Sequence, residues 1–342
     1  MKKISILQYN AMAFLLPITM FFGIGLSNIV TISKESFWIS IIIGIILGSL
    51  IILGFTKIFN KNQNDSLVNS NKLKSVGYII ISIIFIYIGI SILTNFIISI
   101  YLTEINPILI SLPLLLLILY ATSKEKEVIA RVLVIVTVLS MLFALGIILN
   151  LTPAFKITNY LPLFNVKFSS ILMQGISFAI YSSSPLILMG LYAPNEVDGY
   201  KNNSLLKIYL VSCLMITIIF SLTVGVMGVN MTSLYRYPAY IVLKRISFFR
   251  FVNNLENFIA FFWILTYMSL IISSSACLKE AVKNISSKKW VYPLLILLIF
   301  SIIIMTTFLK IEFILYLYKY LVWILLLCIV VFFIINLKKK NS

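Results

Sequence analysis

The sequence predicts an all-α polytopic membrane protein of ten transmembrane helices built as two inverted five-helix repeats, and three observations carry that expectation. Of 342 residues, 61% are hydrophobic and 11% charged, with mean hydropathy +1.09, which leaves too little charge to cover a water-soluble globule. The apolar residues fall into ten runs, most of them long enough to cross about 30 Å of hydrocarbon. The first run of each half is interrupted at a matching place.

The runs span residues 6–31, 37–58, 76–101, 106–121, 128–150, 170–193, 205–229, 254–277, 290–308 and 313–337. Lys2 and Lys3 precede the first run, but Ser27-Asn28-Ile29 offers no small-x-small cleavage site, so it reads as a retained helix rather than a signal peptide. Within it, Leu16-Pro17-Ile18-Thr19-Met20-Phe21-Phe22-Gly23-Ile24-Gly25 breaks the helix. Proline removes a backbone donor, glycines weaken the helix, and hydrocarbon has no water for the freed amides. Such a break persists only beside protein or an internal cavity.

Gly44 and Gly48 in the second run form a GxxxG, read as close helix packing inside the bundle. Pro107 and Pro113 mark the start and a kink of the short fourth run. The proline-punctuated segment 151–164 divides the halves, giving repeats over residues 5–150 and 169–337. Because five spans is an odd number, the second copy enters from the opposite side.

The second half opens with its own break, Tyr181-Ser182-Ser183-Ser184-Pro185. Residues 231–253 mix aromatics with Arg236, Lys244, Arg245 and Arg250 at helical spacing, and read as an outer amphipathic segment. With both termini cytoplasmic, eighteen of the 27 Lys and Arg fall in cytoplasmic segments, the bias that orients such chains.

That bias also explains the net charge of +17 without nucleic acid, since the bases sit in short connectors rather than on one face. The sequence has no histidine, which removes histidine-based zinc, haem and Ser-His-Asp chemistry. Cys213, Cys277 and Cys328 stand alone, without metal or redox spacing. No phosphate-binding glycine loop occurs. Neither an enzyme nor a cofactor is expected, and membrane lipid is the surrounding solvent.

Paired interruptions are the best sequence pointer to a ligand site at mid-membrane. Amides of a half-helix near Gly23, Ile24 and Gly25 can donate to a carboxylate. Carbonyls unwound near Tyr181, Ser182, Ser183 and Ser184 can accept from an ammonium, so a zwitterion such as an amino acid is the expected ligand. Tyr267, deep in the eighth run, is a polar-tipped candidate for the cavity wall. Glu256, at the start of that run, is the acid nearest apolar surroundings, with Arg250 the candidate partner in an outer gate.

Several short motifs carry a family resemblance. Ile4-Ser5-Ile6-Leu7-Gln8, Phe22-Gly23-Ile24-Gly25-Leu26 and Phe37-Trp38-Ile39-Ser40, then Tyr160-Leu161-Pro162-Leu163-Phe164, Tyr237-Pro238, Leu243-Lys244-Arg245-Ile246 and Leu255-Glu256 leading to Trp263-Ile264-Leu265, resemble the permease (B) subunits of spore germination receptors. That family is similar to amino-acid, polyamine and organocation permeases. The resemblance implies a leucine-transporter-like fold with helices 1 and 6 unwound at the ligand, and companion germination subunits in the spore inner membrane. It places the first-helix site at Gly23, Ile24 and Gly25. The family's Arg-x-Glu element reads Asn254-Leu255-Glu256 here. Two functions are then expected to compete: a germinant-sensing subunit, and a self-sufficient secondary amino-acid transporter.

Overall fold

The computed structural model describes residues 3–21, 25–102, 104–162, 166–245, 256–286, 288, 290–308 and 311–337. The helices are α1 (Ile6–Thr19), α2 (Gly25–Ser33), α3 (Phe37–Lys61), α4 (Lys72–Ile100), α5 (Pro107–Ser123), α6 (Lys126–Leu151), α7 (Phe168–Ser183), α8 (Ser204–Met227), α9 (Val229–Leu234), α10 (Pro238–Arg245), α11 (Glu256–Ile285), α12 (Val291–Phe308) and α13 (Ile311–Leu337). A two-residue strand, β1 (Ile4–Ser5), pairs in parallel with β2 (Val197–Asp198). The end of the bundle carrying these strands is termed the near end, and the opposite end the far end.

The chain is an all-α polytopic membrane protein. Among the described residues six helical stretches are long and apolar enough to cross a bilayer, and four shorter apolar helices accompany them. Ile46, Leu50, Leu116, Ile135, Leu142 and Leu327 point outward and are more than half exposed. So much exposed apolar surface suits hydrocarbon rather than water.

Local chemistry sets where helices begin. Ser5 caps α1, its hydroxyl accepting from the Gln8 N–H while its own N–H donates to Gln8 Oε1 at 2.9 Å, a capping box. Asn71 and Asn106 cap α4 and α5 through their side-chain oxygens. Pro107 takes the first helical position of α5, where its missing N–H costs nothing.

Two helix pairs form the frame. Helices α4 and α11 run antiparallel, with Ser75 bonded to Asn284 at 2.8 Å, Gly89 opposite Ile271, and the Phe96 and Trp263 rings 4.8 Å apart. Ser75, Ser82, Gly89 and Phe96 are seven residues apart, the spacing that keeps one seam facing its partner along two long helices. Helices α3 and α7 run parallel. A Cβ on Gly44 would lie 2.6 Å from Phe178 Cβ and 2.9 Å from the Gly175 carbonyl, so the GxxxG packs inside the bundle, where only glycine permits that approach.

Residues 231–253 are not one helix over their described part but two short ones, α9 and α10, separated by a turn. Tyr237, Ala239, Tyr240, Val242 and Leu243 are buried there, and α10 packs on α8 and α11. The apolar face of α10 packs into the bundle's far end, and Lys244 is left exposed on its other side. Residues 246–255 lie outside the described residues.

Candidate functional site

The two interruptions meet. Helix α1 carries Pro17 in its last turns and stops at Thr19. The Thr19 hydroxyl donates to the Leu16 carbonyl at 2.7 Å and the Phe21 N–H to Ile18 at 3.2 Å, so the chain turns instead of continuing. It resumes as α2 at Gly25; Gly23 and Ile24 lie outside the described residues. In the second half, α7 ends at Ser183 and passes into a 3-10 helix over Ser184–Leu191. Pro185 explains the change. It brings no N–H to the Tyr181 carbonyl, and its fixed φ suits the first turn of the tighter helix.

Phe21 joins the two. Its ring stacks on Phe178 at 4.4 Å and 30°, meets Tyr181 edge-on at 6.3 Å and 90°, and lies 5.9 Å from Phe220 on α8. A Cβ at Gly25 would stand 3.1 Å from Phe21 Cδ1 and 3.3 Å from the Met20 carbonyl, so the start of α2 is held tightly against the same ring. This contact, between the end of one broken helix and the last turns of the other, defines the candidate site.

The serines do not act as the sequence suggests. Backbone near Ser182–Ser184 tightens rather than unwinds, and two of the three hydroxyls are spent within the bundle. Ser182 donates to the Phe178 carbonyl at 2.8 Å and shares a 2.8 Å bond with Tyr209 of α8, and Ser183 donates to Ala179 at 2.7 Å. Ser184 differs, because its Oγ is buried with no hydrogen-bond partner among the described residues. Ser182 and Ser183 take the carbonyl one turn back, and of the three it is Ser184, at the change of helix type, whose hydroxyl is left for a ligand.

Tyr181 and Tyr267 are both buried. Tyr267 sits on α11, the helix that packs against both α1 and the 3-10 extension. Glu256 opens α11 and is nearly buried, at 9% exposure; Arg250 lies outside the described residues. Among the described residues Glu256 makes no ion pair. Beside it Asn257 accepts from the Tyr101 hydroxyl at 2.8 Å, which ties α11 to the end of α4. No group of three or more Asp, Glu, Cys or His that could hold a metal exists among the described residues.

At the near end a set of contacts closes the bundle below the site, and the sequence alone does not reveal it. Lys126, at the start of α6, donates to the carbonyl of Leu191, the last residue of the 3-10 helix, at 3.3 Å, and pairs with Glu280 of α11 at 3.8 Å. The Tyr192 hydroxyl contacts the Lys126 carbonyl at 3.2 Å and Met12 Sδ of α1 at 3.4 Å. Lys279 donates to the Thr122 carbonyl. Tyr9 lies among Phe59, Tyr192 and Tyr200. Burial pushes the Tyr200 hydroxyl up to about 12, and it donates to Asn60 at 2.9 Å. The β1–β2 pair then binds the start of α1 to the segment after the 3-10 helix. Both interrupted helices are therefore held by one clasp, and only the Ser5-x-x-Gln8 capping signature in it is visible in the sequence.

Comparison with known families matches residues 8–312 to the family described as spore germination protein. No curated protein matches the chain.

Proposed function

The chain belongs to the spore germination protein family, and from that premise we propose that it is a germinant-sensing subunit that binds a small nutrient, such as an amino acid, where its two interrupted helices meet. Ten spans in two inverted repeats of five fit the helices α1–α13, with α1 and α2 forming the first broken span and α7 with its 3-10 extension the sixth. The far end then faces outward and both termini lie in the cytoplasm. The spore inner membrane and companion germination subunits belong to the same proposal.

The observation that carries this reading is the Phe21 ring seated on Phe178 and against Tyr181. A ligand entering there touches both interrupted helices at once. Any ligand that binds one arrangement of the two better than another shifts the balance between them. The clasp carries such a shift to the near end, because Lys126 and Tyr192 grip the lower ends of both halves. The test is germination of spores carrying Phe21→Ala or Ser184→Ala against wild type, at matched membrane abundance, over a panel of nutrients. Loss of response to one nutrient at normal abundance supports the site; unaltered responses in both variants reject it.

One observation keeps a transporter in view. The near-end closure rests on hydrogen bonds, a strand pair and one ion pair, all reversible, which is what alternating access through the same site needs. Uptake of labelled amino acid into liposomes containing the chain alone separates the two functions, since a pure sensor accumulates none.

A further inference from the structure

Arg236 stands in the turn between α9 and α10, and α9 packs along α2 directly beyond the first interruption. One face of its guanidinium is used, lying 5.3 Å from the centre of the Tyr237 ring. Its edge is not. Both Nε and Nη2 are shut off from solvent and have no hydrogen-bond partner among the described residues. These two nitrogens form the side-on edge whose parallel N–H groups match the two oxygens of a carboxylate. Buried cationic donors left unmet are costly, and one carboxylate meets both. From these observations we propose that Arg236 is a carboxylate receptor at the far end, its buried edge taking the acidic group of a small ligand.

The proposal rests on the reading of the chain as a nutrient-binding protein only for the identity of the ligand. Within the chain the competing carboxylate is Glu35. Its Oε2 is also buried and unpartnered among the described residues, on the turn Lys34–Ser36 that packs against α9, yet the two residues form no ion pair in the structure. The ring of Tyr237 is itself anchored, 5.2 Å from Phe96 and 5.9 Å from Trp263, so the guanidinium is held against a fixed surface.

The experiment needs no knowledge of the natural ligand. Thermal unfolding of the detergent-purified full chain is followed in sodium acetate, in sodium chloride of the same ionic strength, and with acetamide as the neutral isostere. At acetate about ten times its dissociation constant, the expected rise is roughly 1–3 °C, with none from chloride or acetamide. Arg236→Gln should abolish the rise. Arg236→Lys, which keeps the charge and loses the fork, should leave only a small part of it and guards against a folding failure of the first variant. Gly25→Leu should retain it in full. L-alanine should act as acetate does and L-alaninamide should not. No rise in the wild type, or a rise kept in Arg236→Gln, overturns the proposal. A wild type without a rise whose Glu35→Gln variant gains one shows that Glu35 fills the edge, and overturns it as well. If acetate acts through Arg236 while no nutrient binds at the joint, the sensing function fails and this site stands. Loss of the rise in Gly25→Leu but not in Arg236→Gln places the carboxylate at the joint instead, so that the sensing site stands and the Arg236 receptor falls.

Discussion

Gly25→Leu puts the site to its sharpest mutational test, because the structure gives the crowding at that position directly. A Cβ there lies 3.1 Å from Phe21 Cδ1 and 3.3 Å from the Met20 carbonyl, inside the roughly 3.5–4.0 Å optimum for carbon contacts. For alanine the neighbours must yield by only a few tenths of an ångström. Gly25→Ala should therefore be close to neutral. Leucine adds three carbons where Phe21 stands, and Phe21 cannot withdraw freely because it is stacked on Phe178 at 4.4 Å. Overpacking of this kind costs about 1–3 kcal/mol. Placed on the joint, that amounts to an about 5- to 150-fold loss in the population of the binding arrangement. The assay is the nutrient dose-response of spores carrying each variant, with membrane abundance measured by immunoblot. Gly25→Leu should lose or strongly right-shift the response at near-normal abundance. A wild-type curve for Gly25→Leu would remove the first interruption from the site, and an alanine variant as damaged as the leucine one would refute the crowding argument.

Three further outcomes follow from the packing and the clasp. Gly44→Ala drives its Cβ to within 2.9 Å of the Gly175 backbone carbonyl, so it should lower the thermal midpoint of the purified chain by the few degrees that about 1–3 kcal/mol implies. Gly77→Ala and Gly146→Ala, with nothing within 4 Å, should not lower it, and equal losses in all three would sink the close-packing account. Lys126→Met removes the bond to Leu191 and the pair with Glu280; with the Lys126 and Glu280 side chains both only partly buried, about 1 kcal/mol is at stake. In a chain with Cys213 and Cys328 replaced by alanine, alkylation of buried Cys277 should quicken about fivefold, and an unaltered rate would mean the clasp does not close that end. Glu256→Gln withdraws a negative charge from the N-terminal turn of α11, where it is favoured by up to about 1 kcal/mol. It should move the dose-response midpoint severalfold with the ranking of nutrients unchanged, whereas a changed ranking would move Glu256 into the pocket.

Much of the architecture is legible in the sequence because hydrocarbon is a strict solvent. Uninterrupted apolar runs give the long helices, and Pro17, Pro185 and the glycines near position 25 mark the places where the backbone changes course. Other features are not legible, because they depend on partners distant in sequence. Ser182 and Ser183 look like ligand groups in a string of residues, but each hydroxyl is taken by a carbonyl one turn back in its own helix. The seven-residue recurrence of Ser75, Ser82, Gly89 and Phe96 is present in the sequence, yet without α11 opposite it carries no meaning. Phe21 reads as one more apolar residue, and only its contacts with Phe178 and Tyr181 show that it joins the two interrupted helices. Charge spacing suggests an interfacial role for the segment 231–253, while its buried aromatics, Tyr237 and Tyr240, decide where its described part lies.

The central claim, that a small nutrient binds where the broken helices meet, is tested most directly by hydrogen–deuterium exchange on the purified chain. Each of the twenty amino acids is added in turn and the protected peptides are compared. At least one amino acid is expected to slow exchange in peptides covering residues 18–27 and 181–188 together, because both interruptions contact the same ligand. Protection confined to other parts of the chain, or none with any amino acid, would contradict it.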